Sequence, residues 1–245
     1  MDDAKAIEKI EQLVKDGLTV EVGGRKYSAA SLKPVIYEPR TKTVELDTLK
    51  GFCGFINSDI DNNIRGEPHL VVVESHKSVA LVSAAGGDDL QRSRPVAAAL
   101  CDGLKGFPFD SFMEQEKFAI MFRSRFERKA GDDFDYVLQL VSRLVGDTAV
   151  ETEDDGITQK VAVKKGVTGV RVDKAELKPI VRLSPYRTFR EIDQPESEFL
   201  LRVRMEGDSP QVALFEADGG AWINQAMANI VAYIESQVEG IPVIA

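Results

Sequence analysis

Apolar residues recur at helical spacing near the start of the chain. Ala6, Ile7, Ile10, Leu13 and Val14 fall on one stripe, which predicts an amphipathic helix over residues 3–16 closed by Gly17. The period then switches to two. Residues 18–22 alternate, Gly23 and Gly24 permit a tight turn, and residues 25–28 continue, which predicts a hairpin. Residues 32–38 are apolar but broken by Pro34 and Pro39, consistent with an edge strand or an extended loop. Leu49, Phe52, Cys53 and Ile56 return to helical spacing, with Asp47 or Thr48 placed to cap the start. Gly51 and Gly54 lie on one side of that helix and could allow close helix packing. Residues 70–75 and 79–83 are rich in valine and predict a second hairpin, and residues 84–94 read as a loop.

The second half starts with two helices. One follows residues 107–110 and carries Phe118, Met121, Phe122 and Phe126. The other is predicted from residue 133 to about 150, on a stripe of Val137, Leu140, Val141, Leu144 and Val145. Five short β-type runs follow, over residues 158–163, 167–172, 180–183, 199–205 and 211–215. A closing helix carries Trp222, Ile223, Met227, Ile230, Val231 and Ile234, and an apolar tail ends the chain at residues 241–245. This order predicts an α+β fold with N-terminal hairpins, a mostly antiparallel sheet in the C-terminal half, and flanking helices. It divides the chain into a helix-and-hairpin region over residues 1–106 and an α+β region over residues 107–245, or makes one continuous domain.

Composition narrows the function classes. With 43% hydrophobic and 29% charged residues, the chain reads as an ordinary folded protein large enough to bury a core. No apolar run approaches membrane-spanning length and the N-terminus has no secretory pattern, so the expectation is a cytoplasmic protein of the cell that makes it, without a membrane partner. The net charge of −9 argues against sequence-independent binding along a nucleic-acid backbone. Cys53 and Cys101 both sit among apolar or small neighbours and are expected to be structural, as small buried hydrophobic residues. With only His69 and His76 beside them, neither a catalytic thiol nor a zinc site is expected. No catalytic motif stands out, and no cofactor is implied.

Three clusters carry candidate chemistry. Glu151, Glu153, Asp154 and Asp155 are either a divalent-cation site or a solvated helix end turning at Gly156. At residues 215–222, Asp218 is positioned to cap the last helix and Gly219–Gly220 to turn the backbone, with Trp222 as a core anchor. Arginine placement is the least expected feature of so acidic a chain. Arg202 and Arg204 share one face of a strand whose other face is Leu201, Val203 and Met205, Arg182 alternates with Val181 and Leu183, and Arg187 follows. Arg182, Arg187, Arg202 and Arg204 are therefore the candidate anion-binding set, suited to phosphate or carboxylate. The other reading is a face of ion pairs with Glu191, Glu196, Glu198 and Glu206.

Four blocks in the second half carry a resemblance: residues 151–156 (ETEDDG), 183–189 (LSPYRTF), 213–222 (ALFEADGGAW) and 241–245 (IPVIA). Together they resemble the phage and prophage family typified by YfdQ, whose function is unknown. The likeness extends over most of the chain and is strongest over residues 107–245. It implies a phage or prophage protein, often placed among early or DNA-metabolism genes, and it supplies no catalytic residues. The expectation is a non-enzymatic, homo-oligomeric accessory protein. It would act by binding, in host-defence antagonism or in phage DNA metabolism, on a host or phage protein, a nucleotide or another anion in the bacterial host cytoplasm. The alternatives are a self-assembling shell or scaffold, and a metal-dependent enzyme on nucleotides or nucleic acid.

Overall fold

The N-terminal stripe winds into a helix, α1 (Asp3–Leu18), and the alternating residues after it form the hairpin β1 (Thr19–Val22) and β2 (Arg25–Ser28). Gly23 and Gly24 adopt φ of 62° and 80°, and Val22 pairs with Arg25 across them, so two residues with positive φ close the turn. The computed structural model describes residues 3–28, 41–86, 91–101, 106–144, 150–154, 159–163, 173–176, 178–207 and 209–245. The extended stretch expected over 32–38 lies outside them.

Residues 41–101 form a first sheet. Its elements are β3 (Val44–Leu46), α2 (Leu49–Ser58), β4 (His69–Ser75), β5 (Ser78–Ser83) and β6 (Val96–Ala99). Alternation in β4 sends Val71 and Val73 inward, and α2 lays Leu49, Phe52, Cys53 and Ile56 into the same core. Thr48 is the N-cap of α2: its hydroxyl accepts from the Gly51 amide at 3.1 Å. A Cβ on residue 51 would stand 2.9 Å from that hydroxyl, whereas residue 54 has open space, so glycine serves the cap here and not a helix–helix contact. Asp59 ends the helix at a φ of 41°, and its carboxylate accepts from the Ile64 and Arg65 amides, which holds its pKa below the ordinary value.

The second sheet draws on the aromatic half of the chain. Here β7 (Met113–Glu114) leads into α3 (Gln115–Arg125), then β8 (Phe126–Glu127) and α4 (Phe134–Arg143). The helix expected to reach residue 150 stops at Arg143. Gly146 and the β-branched Thr148, Val150 and Thr152 are poor helix formers, and by Val150 the chain is a strand. Three strands follow as a separate antiparallel sheet: β9 (Val150–Asp154), β10 (Gln159–Val163) and β11 (Asp173–Glu176). The run expected over 167–172 lies outside the described residues. Glu151, Glu153 and Asp154 therefore stand on a strand, with Glu153 in register with Lys160, and not at a helix end.

Long antiparallel strands complete the second sheet: β12 (Ile180–Pro185), β13 (Ser197–Glu206) and β14 (Ser209–Glu216), in the order β7-β14-β13-β12-β8. One face of it, with Val181, Leu183, Phe199, Leu201, Val203, Val212 and Leu214, packs against α3 and α4 around Phe118, Phe122, Phe126 and Phe134. The chain then returns to the first core. The closing helix α5 (Ala221–Gln237) buries Ile230 and Ile234 beside α2, and β15 (Val243–Ile244) adds a parallel edge strand to β4. Phe189 and Ile192, from the loop between β12 and β13, enter that core too. The first sheet thus runs β15-β4-β5-β6-β3, and residues on both sides of the 106/107 division build it. The architecture is α+β, with the antiparallel β12–β14 sheet in the C-terminal half. No helix among the described residues is long and apolar enough to cross a membrane.

Candidate binding cleft between the two cores

Strand parity puts Arg182, Arg202 and Arg204 on the face of the second sheet that points away from α3 and α4. Arg182 lies 3.6 Å from Glu196 and opposite Glu198 in register, and Arg204 lies 3.6 Å from Glu206. The Arg204 guanidinium also lies over the Phe112 ring, 4.1 Å from its centroid, and Phe112 meets Phe215 edge-on. Arg202 is half-buried between them in sequence. This face collects three of the four expected arginines, with carboxylates interleaved.

Arg187 parts from that set. Pro185 ends β12, and the chain turns inward. The Arg187 side chain is only 9% exposed, donates to Glu216 at 2.6 Å and donates to the Ser197 hydroxyl. Its backbone amide donates to the Gln194 side chain at 3.3 Å. The guanidinium lies over the indole of Trp222, 3.8 Å from the centroid, with the Phe109 and Phe199 rings at 5.7 and 5.6 Å. Burial lowers its pKa to about 10, against the opposing pull of Glu216 and Asp218.

Trp222 reaches this point because of the turn before it. Gly219 and Gly220 take φ of 62° and 82°, and Asp218 accepts from the Gly220 amide at 3.0 Å. Asp218 therefore fastens the turn, while Gly220 takes the N-cap position expected of Asp218. The indole comes from a helix of the first core, and the arginine from a strand end of the second. His76, at the turn between β4 and β5, meets the indole edge-on at 4.8 Å, and its carbonyl accepts from the Thr188 hydroxyl at 2.6 Å. Desolvation, then the nearby charges of Lys77 and Arg187, lower the pKa of His76.

Two cavities flank Trp222. One, of about 440 Å³, is lined by Arg182, Glu196, Glu198, Asp218 and Gln225 among others. The second, of about 480 Å³, has aromatic walls in Phe107, Phe109, Tyr186 and Trp222, with Lys77, Arg187, His76 and Cys101 also in its lining. A third, of about 740 Å³, lies between the end of α2 and the C-terminal tail. Of the residues lining the two cavities beside Trp222, Arg182 and Arg187 were in the sequence-derived anion-binding set. Trp222 read as a core anchor, and His76, Lys77 and Tyr186 carry no motif.

The cysteines divide. Cys53 is buried in the first core, which pushes its thiol up to about 11, whereas Cys101 is exposed and corrects the expectation of a buried residue. Among the described residues, no group of three or more His, Cys, Asp or Glu is placed to hold a metal ion. No family model matches this chain, and neither a curated protein nor a solved structure matches it.

Proposed function

We propose that this chain is a self-associating accessory protein of phage or prophage origin that acts by binding, and that copies join through α1. The observation that carries this reading is the apolar stripe of α1, which is exposed among the described residues. Ile7, Ile10, Leu13 and Val14 are each more than half exposed, with Ile10 at 61%, and they belong to neither core. Leu18 and Val22 continue the exposed apolar surface. A helix of 16 residues gains little stability from propensity alone and depends on packing of its apolar face. Ile7, Ile10 and Val14 have the spacing of a coiled-coil seam.

A second copy is the occupant that fits. Along α1 the charges alternate in sign, through Asp3, Lys5, Glu8, Lys9, Glu11, Lys15 and Asp16. The segment is therefore close to neutral in a chain of net charge −9, so repulsion between two acidic copies is least there. The phage setting is supported by the four sequence blocks, and an accessory role by the lack of any catalytic motif. Site-directed cross-linking tests the contact. In a Cys101→Ser background, Ile10→Cys should give a disulfide-linked dimer under mild oxidation, while Lys5→Cys, off the stripe, should give much less. Monomer alone from Ile10→Cys, with the introduced thiol still reactive to maleimide, would contradict it.

A further inference from the structure

The cavity on the His76 side of Trp222 has the size of a small-molecule site, at about 480 Å³. Its described lining contains no carboxylate, in a chain with an excess of acids. The neighbouring cavity, across the same indole, is lined by Glu196, Glu198 and Asp218. Trp222 thus separates an acidic hollow from a basic, aromatic one. The acids near Arg187 lie outside that aromatic wall: Glu216 is bonded to its guanidinium, and Asp218 lines the acidic hollow.

Two details point to a ligand. Arg187, a lining residue, is fixed in place by Glu216, Ser197 and the indole and brings one positive charge to the cavity. Lys77 is exposed and adds a second positive charge at the cavity. The walls carry the rings of Phe109, Tyr186 and Trp222, which favour an aromatic, polarisable guest. Cations at one side and rings around it suit a ligand that joins an aromatic base to a phosphate.

We propose that this cavity binds a planar aromatic anion of the nucleoside monophosphate class, the base among the aromatic walls and the phosphate toward Lys77 and Arg187. The inference is independent of self-association through α1, so either can fail alone. Trp222 is the sole tryptophan and reports directly on occupancy. Its fluorescence, excited at the red edge where adenine does not absorb, is followed during titration with adenosine monophosphate, adenosine and inorganic phosphate, and calorimetry repeats the series. Adenosine monophosphate should give a saturable change at a concentration at least about tenfold below either half-ligand, since it alone combines a charged hydrogen bond with stacking. Its dissociation constant should rise with salt. Lys77→Ala, a surface change that spares both cores, should weaken it by about tenfold, the factor carried by one charge-assisted hydrogen bond. Tyr186→Leu, which keeps an apolar side chain and removes the ring, should weaken the monophosphate and adenosine alike. No saturable change at millimolar monophosphate, adenosine or phosphate binding as tightly as the monophosphate, or unaltered affinity in Lys77→Ala, overturns the proposal.

Discussion

Phe122→Ala should lower the unfolding free energy by about 3–5 kcal/mol, the range for emptying a fully buried phenylalanine site. Phe122 has no exposed surface. Its ring stacks on Phe118 and Phe134 at 5.6 and 4.8 Å and meets Phe126 at 4.6 Å, so each of these rings loses a neighbour at once. The rings come from α3, β8 and α4, and the walls cannot close on the void without moving a helix. Urea unfolding should show a lower midpoint with an unchanged slope. Ile120→Ala on the same helix, at a residue 63% exposed, should stay within about 0.5 kcal/mol. Equal losses at the two positions would mean that the aromatic cluster does not hold α3 on the sheet.

Arg187→Ala should cost about 3 kcal/mol, the lower end of what breaking a buried ion pair costs. The lower end applies because Glu216 keeps 37% of its side chain exposed and water can solvate it once the arginine is gone. The Ser197 hydroxyl loses its donor, and Trp222, Phe109 and Phe199 lose the guanidinium plane that fills the space between them. Arg187→Lys should recover only part, since an ammonium cannot lie flat on the indole and bond two partners in one plane. A double change, Arg187→Met with Glu216→Leu, should be less destabilising than Arg187→Ala alone, because no charge is left without its partner. On the outer face of the sheet, Arg182→Ala and Arg204→Ala should each cost at most about 1 kcal/mol, as their ion pairs are solvated. If Arg187→Ala is as mild as these, the cleft is not a joint between the cores.

The elements legible in the sequence were those whose signal is local. The α1 stripe, the Gly23–Gly24 hairpin, the capped helix at Thr48 and the alternation of β12 and β13 all came from period and turn chemistry within a few residues. The length of α4 was misjudged because the stripe of Val137 and Val141 continues in Leu144 and Val145, although Gly146 and the β-branched residues beyond favour an end. Non-local pairings left no trace: β3 lies parallel to β6, and the last two-residue strand lies parallel to β4, across more than 160 residues of chain. Neither pairing has a hairpin turn to announce it.

The candidate site was half legible for the same reason. Strand parity is local, and it placed Arg182, Arg202 and Arg204 together on one face. The fate of Arg187 depended on where the chain goes after Pro185, and its partners Glu216, Ser197 and Trp222 come from three other segments. A signal was present in Gly219–Gly220, two glycines that let the backbone turn sharply just before the sole tryptophan. It indicated a constrained tryptophan, without indicating what that tryptophan packs against. The apolar stripe of α1 was readable as a pattern, but its exposure among the described residues is a fact of the three-dimensional structure alone.

Sedimentation velocity over a wide concentration range, on the full chain and on an Ile10→Asp, Val14→Asp variant, tests self-association through α1 most directly. The full chain should sediment as an oligomer, and the variant as a folded monomer with unchanged urea stability of its two cores. A full chain that stays monomeric at every concentration, or a stripe variant that keeps the parent's oligomeric mass, would contradict the account.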